Sequence, residues 1–305
     1  MTAPRLFVFG LGYTAGVLAK QLAAEGWRIA GTCQGEEKRA ELEAQGYEAF
    51  AFDREHPLLD AKAALAGTTH LLLSIPPDKR GDPVQACHAM DIADLISLEW
   101  AGYLSTTGVY GDSGGEWVSE ASWLRPTSER SKRRVEAEKG WLDLYRQYGV
   151  PLHAFRLPGI YGPGRSAIDQ VRAGDAKRID KPGHLFGRIH VEDIAGVLRA
   201  SMATMNPGAV YNVCDDEPAE PQEVIRFAAE LLGVEPPPLV PFDKAELSEM
   251  ARSFWADNRR VKNERIKSKL GYTLKHPSYR EGLRAQMEAE TRLAPSPSLS
   301  HSRRV

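Results

Sequence analysis

The chain has 305 residues, of which 42% are hydrophobic and 26% are charged, a composition typical of a globular protein with ample core. A formal net charge of −2 excludes the strong basic field by which nucleic-acid-binding and membrane-binding proteins attract anions, and the one dense basic run, at 130–134, is expected to be a solvated helix face. The three cysteines lie far apart, without metal-ligand spacing, and fit a reducing compartment. No apolar run approaches the ~20 residues of a membrane span or resembles a signal peptide, so we expect a cytoplasmic protein.

Apolar runs and amphipathic segments alternate along the first two thirds of the chain. They predict strands at 5–9, 28–32, 47–52, 70–75, 102–105, 151–157 and 208–214, and helices at 14–26, 36–45, 84–100 and 128–148. Because each parallel pair of strands needs a crossover connection, this alternation predicts an α/β fold with a doubly wound parallel sheet, the Rossmann fold.

The alternation loosens after residue 157, where glycine and proline interrupt the pattern. We expect a Rossmann core at 1–160, continued by 189–214, and a smaller substrate-binding lobe made of 161–188 and 215–292. A helix is predicted at 221–232, and the segment that follows it is expected to be small and helical. The polar, proline-rich residues 293–305 are predicted to form a disordered tail.

The sequence G-L-G-Y-T-A at 10–15 follows the first predicted strand and opens the first helix. Gly10 permits a tight turn, Gly12 lets the backbone approach a pyrophosphate, and Ala15 permits close packing of helix on strand. The N–H groups of Tyr13 and Thr14 and the helix dipole favour an anion there. The turn therefore predicts an NAD(P) site, the alternative being that its glycines serve only the turn.

The second and third strands bear on which nucleotide binds. Folds that prefer NAD place an acid at the end of the second strand to hold the ribose 2′-hydroxyl, whereas this chain has Thr32 and Cys33 there. The missing acid, together with Lys38 and Arg39 a few residues later, favours NADP over NAD. Either nucleotide is still compatible with the sequence. Asp53, after the third strand, either accepts from the adenine amine or caps a turn.

Six segments in order along the chain carry a family resemblance. They are G-L-G-Y-T-A at 10–15, L-S-T-T-G-V-Y-G-D at 104–112, S-K-R-R-V-E at 131–136, F-R-L-P-G-I-Y-G-P-G-R at 155–165, R-I-H-V-E-D-I-A at 188–195 and Y-N-V-C-D-D-E-P at 211–218. With these segments the chain resembles an extended or atypical member of the short-chain dehydrogenase/reductase superfamily, of the NAD-dependent epimerase/dehydratase type.

The resemblance implies a catalytic set of a Ser or Thr, a Tyr and a Lys. In such enzymes the tyrosine moves a proton while hydride passes to or from the nicotinamide, and the lysine holds the ribose and lowers the pKa of the tyrosine. Thr106, with Ser105 and Thr107 beside it, matches the Ser/Thr, and Lys132 matches the lysine. Ser128 stands at the tyrosine position. A serine hydroxyl is a far weaker acid than a phenol, so we expect Ser128 to cap the helix.

Further candidate residues lie around the cofactor and the substrate. Those at strand ends, facing the cofactor, are Ser74, Pro76, Ser105, Leu157, Pro158 and Gly159. Tyr110 and Tyr161 are alternatives for the proton donor, the other interpretation being that they only form structural turns. Arg165, His184 and Arg188 are candidates for holding an anionic substrate group.

These residues favour an NAD(P)-dependent epimerase, dehydratase or reductase that acts on a small or nucleotide-linked substrate with an atypical site lacking the tyrosine. The alternative is a catalytically inactive cofactor sensor or interaction protein, which the lost tyrosine favours. A small molecule is the expected partner, with neither nucleic acid, membrane nor metal. Related proteins often dimerise through two helices beside the sheet, here 84–100 and 128–148, so a homodimer is one expectation.

Overall fold

The computed structural model describes residues 3–293. The strands are β1 (Arg5–Phe9), β2 (Arg28–Cys33), β3 (Glu48–Ala51), β4 (His70–Leu73), β5 (Trp100–Thr106), β6 (Trp117–Val118), β7 (Leu152–Leu157), β8 (Gly159–Tyr161), β9 (Arg178–Asp180), β10 (Arg188–His190), β11 (Val210–Asn212), β12 (Leu239–Pro241) and β13 (Arg260–Val261). The α-helices are α1 (Tyr13–Ala24), α2 (Glu36–Ala44), α3 (Ala61–Ala64), α4 (Pro83–Ala93), α5 (Glu129–Tyr148), α6 (Ala167–Ala173), α7 (Val191–Ala203), α8 (Pro221–Leu232), α9 (Glu249–Phe254), α10 (Glu264–Leu270) and α11 (Tyr279–Leu293). None of these helices combines the length and the apolar character that a membrane span requires. The tail predicted at 293–305 lies outside the described residues, except for Leu293 at the end of α11.

A seven-stranded sheet forms the centre of the fold, in the order β11-β7-β5-β4-β1-β2-β3 and with every pair parallel. Successive residues of a strand face opposite sides, and both sides are buried. Leu6 and Val8 of β1 join an apolar cluster with α1 and α7, while Phe7 and Phe9 join another with α3, α4 and α5. Helices therefore cover both faces of the sheet, which confirms the predicted Rossmann fold.

The strand order reverses at the centre of the sheet, between β1 and β4. The chain runs from β1 to β2 and β3 on one side and then crosses to β4 on the other. At such a reversal the loops diverge and leave a crevice outside the carboxyl ends of the strands, where open α/β sheets bind ligands. The turn after β1 therefore borders a preformed crevice.

A smaller lobe combines helices with short strand pairs. Helices α6, α8 and α11 pack around the buried side chains of Ile168, Ile225 and Tyr279. Three two-stranded parallel pairs, β8–β10, β9–β12 and β6–β13, join segments that are distant in sequence. The segment after residue 232 contains the helices α9, α10 and α11, as expected of a helical segment, and also the short strands β12 and β13, whose partner strands lie outside it.

One predicted helix is too long. The helix expected at 84–100 ends at Ala93, and Trp100 begins β5 instead. Trp100 is fully buried, and its indole N–H donates to the hydroxyl of Ser201 on α7 at 3.0 Å. A contact with a helix far along the chain thus accompanies the start of this strand, and the local apolar pattern cannot show such a contact.

Candidate functional site

The turn after β1 contains two glycines that are present for different reasons. Gly10 has a φ of +87°, and a Cβ added there would lie 2.7 Å from Cγ1 of Ile75, so the protein itself requires glycine. Gly12 has a φ of −102°, which any residue adopts, and the nearest atom to an added Cβ is the Gly10 carbonyl oxygen at 4.0 Å. No contact within the described chain demands a glycine at 12, whereas a ligand that approaches the backbone would.

Gly12 is also the N-cap of α1 and supplies no capping side chain. The N–H groups of the first helical residues, Tyr13, Thr14 and Ala15, have no preceding helical turn to bond. They carry the positive end of the helix dipole, which suits a phosphate group. The residues present therefore fit the pyrophosphate of a dinucleotide.

Among the residues predicted at the cofactor, Thr32, Ala15 and Asp53 do not line the space beside this turn. Thr32 is fully buried behind the turn, where its hydroxyl accepts from the Gly10 N–H at 2.9 Å. Ala15 is fully buried between α1 and the sheet. The Asp53 carboxylate accepts from the backbone N–H groups of the second and third residues after it, both at 2.8 Å, so Asp53 caps a turn. Thr32 and Ala15 support the turn. For Asp53, the interpretation as a turn cap fits the structure.

A cavity of about 800 Å³ opens beside the turn, at the carboxyl ends of the strands. This volume is within the range of small-molecule sites. The predicted cofactor and catalytic residues that line it from the sheet are Gly10, Gly12, Tyr13 and Thr14 after β1, Ser74 and Pro76 after β4, Ser105 and Thr106 in β5, and Leu157, Pro158 and Gly159 at the end of β7. The fold thus brings four separate segments to one cavity, as the strand-end pattern predicts.

Helix α5 presents a different set of residues to the cavity than the sequence match indicates. Ser128 lines the cavity as the N-cap of α5, and its hydroxyl accepts from the Ser131 N–H at 3.1 Å, as expected of a cap. Lys132 is half exposed outside the cavity, and its ammonium lies 2.6 Å from Oε1 of Glu129. The α5 residues that line the cavity are instead Arg130, Ser131 and Arg134. Lys132 therefore does not line the cavity in this structure, and its role as the lysine that holds the cofactor ribose stays a prediction.

Packing of α5 on the sheet explains this difference. Glu138 is buried, and it accepts from Arg156 of β7 and from the Ser105 hydroxyl at 2.7 Å. One turn earlier, Arg134 Nη1 donates to the Leu104 carbonyl at 2.7 Å, near the end of β5. These contacts place positions 130, 134 and 138 on the inward face of α5. The two residues that face inward with a spacing of four are therefore 130 and 134. They lie two positions later in the sequence than the predicted pair at 128 and 132.

The two tyrosines considered as proton donors lie away from the cavity. The Tyr110 hydroxyl donates to Oδ1 of Asn212 at 2.6 Å and accepts from Arg156 at 2.8 Å, and burial raises the pKa of Tyr110 to about 12 although Arg156 opposes the shift. The Tyr161 hydroxyl donates to the Ser278 carbonyl at 3.2 Å, and burial also raises the pKa of Tyr161. Both hydroxyls are bonded in the protein interior, so the interpretation of Tyr110 and Tyr161 as structural turn residues is the one that fits.

Two of the three residues predicted to hold an anionic substrate group line the cavity. The Arg165 guanidinium lies over the Tyr13 ring, 5.8 Å from its centroid, and Arg188 Nη1 donates to two backbone carbonyls at 2.9 and 3.0 Å. His184 is buried against Trp255 instead, with ring centroids 5.3 Å apart, and burial lowers the pKa of His184 to about 4. His184 is thus a neutral packing residue rather than an anion ligand.

The lobe adds lining residues that the sequence interpretation missed. They include Phe254, Trp255, Asp257 and Arg259, at and after the end of α9. Arg259 pairs with Asp257 at 3.0 Å. No motif marks this segment, because its position depends on the pairing of β13 with the distant strand β6.

Arginine dominates the charge of the cavity. The lining arginines are Arg130, Arg134, Arg165, Arg188 and Arg259, and the other titratable side chains in the lining are Tyr13 and Asp257. Asp257 is paired, whereas the first four arginines have no carboxylate within 4.0 Å in the part of the chain that the structure describes. Burial raises the pKa of Tyr13, an effect that Arg165 opposes. The cavity is thus strongly basic and has few groups that can pass a proton.

A separate buried group of polar side chains joins α7 to the chain before α11. The potential metal ligands of His190, Asp193 and His276 lie within 4.8 Å of one another. However, the Asp193 carboxylate accepts from the Tyr272 hydroxyl at 2.9 Å and from the N–H groups of Lys275 and His276 at 2.7 and 3.0 Å. These bonds account for the burial of the carboxylate without an ion.

Comparisons with known proteins agree with this fold. No family model matches the sequence. The chain is 52% identical to a functionally unknown conserved protein from Silicibacter pomeroyi, over 94% of this chain and 100% of that one, with a TM-score of 0.85. It is 28% identical to the protein YeeZ of Escherichia coli K12 over 244 residues, which is 76% of this chain and 85% of YeeZ. A dTDP-glucose 4,6-dehydratase from Bacillus anthracis, solved in complex with NAD, has a TM-score of 0.77 at 16% identity, over 95% of this chain and 97% of that one. The chain therefore belongs to the family of the Silicibacter pomeroyi protein and has the fold of the NAD-dependent epimerase/dehydratase superfamily.

Proposed function

We propose that the chain binds a nicotinamide adenine dinucleotide, with the pyrophosphate against the N-terminus of α1. Gly12 is the observation that carries this proposal, because it is a glycine without a steric reason in the described chain and it faces the cavity. Thr14 and Ser74 line the same space, at places where a dinucleotide fold approaches phosphate and ribose. The Bacillus anthracis dehydratase, which shares this fold, was solved with NAD, and that also supports the proposal.

The surface beyond β2 suits either form of the cofactor, with a modest preference for NADP. Cys33 ends β2, so no carboxylate stands there to repel a 2′-phosphate. Lys38 and Arg39 are paired with Glu41 and Glu36 at 2.6 and 2.7 Å, and exposed pairs of this kind contribute at most about 1 kcal/mol. The side chains of Lys38 and Arg39 can therefore leave these pairs and turn toward a 2′-phosphate with a small loss of free energy. We expect the Kd values of NAD and NADP to differ by less than about tenfold.

The ends of β5 and β7 are where the chain would place a substrate against the nicotinamide, which would supply or accept a hydride. Thr106 Oγ1 accepts from the Gly108 N–H at 3.1 Å, so its own proton is available to an oxygen of the substrate. The Ser105 hydroxyl donates to Glu138 at 2.7 Å and is not available at the same time. Thr106 thus orients a substrate oxygen by a hydrogen bond, and its hydroxyl is too weak an acid to release the proton.

Among the described residues that line the cavity, the groups that could release a proton are Tyr13, beside the turn after β1, and Asp257, which is paired with Arg259, and this restricts the reaction that the cavity supports. We propose a hydride transfer for which the protein supplies no proton. The hydride adds to an electron-poor carbon of the substrate, the electron pair of its double bond moves to the neighbouring oxygen, and water supplies the proton. The alternative is a cofactor-binding protein that transfers no hydride. The scarcity of groups that can donate a proton also favours this alternative. Apart from the arginines, the titratable side chains in the lining are Tyr13, in the turn after β1, and Asp257, which is paired.

The experiment that tests the proposal has two stages. Calorimetric titration with NAD⁺, NADH, NADP⁺ and NADPH should show binding of at least one pair, and binding of none would refute the proposal. The loss of reduced-nicotinamide absorbance is then followed with small carbonyl compounds and with nucleotide-linked keto sugars. Turnover of either class supports the enzyme, whereas cofactor binding without turnover of any substrate supports the sensor.

A further inference from the structure

Two arginines of α5 face the cavity one helical turn apart. Arg130 and Arg134 both line it, and their four-residue spacing places them on one side of the helix. Arg134 Nη1 donates to the Leu104 carbonyl at 2.7 Å and to the Tyr103 hydroxyl at 3.3 Å, which fixes the guanidinium near the end of β5. The Arg130 guanidinium is more exposed and lies 5.6 Å from the centroid of the Phe254 ring, on the lobe. The pair therefore spans the space between the sheet and the lobe.

Among the described residues, neither Arg130 nor Arg134 has an ion-pair partner. Within residues 3–293 neither guanidinium has a carboxylate within 4.0 Å, whereas Lys132 and Arg146 of the same helix each have one at 2.6 Å. Burial and the charge of Arg134 lower the pKa of Arg130, so the two cations repel each other. An anion bound between them would remove that repulsion.

The remaining arginines of the cavity have other contacts. Arg259 pairs with Asp257 at 3.0 Å, and Arg188 Nη1 donates to two backbone carbonyls. Arg165 lies over Tyr13, which begins α1 at the phosphate turn. Arg165 is therefore placed toward the proposed pyrophosphate, and Arg130 and Arg134 are left for a second ligand.

We infer that Arg130 and Arg134 bind an oxyanion, a carboxylate or a phosphate, that belongs to the second ligand of the cavity. A guanidinium donates paired N–H groups to two oxygens and remains protonated at every physiological pH, so the pair binds and orients but passes no proton. The substrate is then a carboxylic acid or a phosphate ester held between the end of β5 and the lobe. The inference rests on the proposed function only in placing the cofactor beside this anion.

The test uses the full chain and two probes, oxalate and inorganic phosphate, each titrated calorimetrically with and without saturating NAD⁺. The variants are Arg130→Gln and Arg134→Gln, with Lys139→Gln as the control that removes one charge from an exposed position of the same helix. We expect the wild type and the control to bind at least one probe equally well. Each arginine variant should bind that probe at least about tenfold more weakly, the effect of losing charge-assisted hydrogen bonds. The probe that binds tells a carboxylate site from a phosphate site.

Three outcomes would overturn the inference: the wild type binds neither probe, both arginine variants bind as tightly as the control, or Arg134→Gln weakens NAD⁺ binding alone. The third outcome would assign Arg134 to the cofactor. Titration of NAD⁺ into the wild type separates this inference from the proposed function, because NAD⁺ binding without probe binding removes only the anion site. Arg130→Gln changes an exposed side chain, so a folding defect at 134 would leave the test intact.

Discussion

Replacement of Glu138 by glutamine should lower the free energy of unfolding by about 3–5 kcal/mol. Glu138 and Arg156 form an ion pair between α5 and the sheet, with side chains only 3% and 5% exposed. The carboxylate also accepts from the Ser105 hydroxyl at 2.7 Å, and Arg156 donates to the Tyr110 hydroxyl at 2.8 Å. The amide keeps the shape of the carboxylate but not its charge, so the variant leaves the Arg156 guanidinium buried without a counter-charge.

The surroundings of Arg156 favour its charged form although the side chain is buried. Burial lowers the pKa of Arg156, whereas the hydrogen bonds and charges of Glu138 and Tyr110 raise it, so the net pKa is above that of a free arginine. The loss can be measured by urea unfolding followed by tryptophan fluorescence. The matched double variant Glu138→Met/Arg156→Met buries no unpaired charge and should lose less stability than the sum of the single variants Glu138→Met and Arg156→Met. A loss below about 1 kcal/mol in Glu138→Gln, or simple additivity in the double variant, would refute this reasoning.

Two further predictions concern the helix cap and the buried histidines. Ser128→Tyr should add no oxidoreductase activity to that of the wild type, because Lys132 lies outside the cavity. The variant should also lose about 1 kcal/mol of stability with the N-cap. Faster turnover of reduced nicotinamide by this variant than by the wild type would contradict the position of α5. The free energy of unfolding should decrease as the pH falls from about 6.5 toward about 4. Burial lowers the pKa of His153 and His190 from 6.5 to about 4. In this pH range the unfolded chain therefore binds protons that the native chain does not bind. The stabilisation is complete above the unfolded pKa, and urea unfolding over this range should show a loss of about 1.4 kcal/mol per pH unit for each proton. A free energy of unfolding that does not change there would contradict the prediction.

The sheet and the phosphate turn could be predicted because short stretches determine them. Leu6, Phe7, Val8 and Phe9 are all apolar, as a strand buried on both faces requires, and the glycine turn follows at once. The strand-end residues then meet at one edge, because parallel strands of one sheet end there together. Local pattern and topology were thus sufficient for the cofactor side of the cavity.

The side of α5 that faces the cavity, and the lobe residues that line it, could not be predicted, because contacts between distant segments determine them. The letters S-K-R-R-V-E match the family pattern at Lys132, but the inward face of α5 includes Glu138, which meets Arg156 of β7. A basic run is commonly a solvated face, and no local feature shows that Arg130 and Arg134 face a cavity. Asp257 and Arg259 reach the site through the β6–β13 pair, whose members are far apart in sequence.

We would first titrate NADH and NADPH into the wild type and into Gly12→Ala, and measure the urea unfolding of both proteins. A methyl group at position 12 has open space in the protein, so the free energy of unfolding should change by less than about 1 kcal/mol. The same methyl group would stand where the pyrophosphate approaches the backbone, so the affinity for the cofactor should fall by at least about tenfold. Equal affinity in the two proteins, or no binding in either, would contradict a cofactor site at the turn after β1.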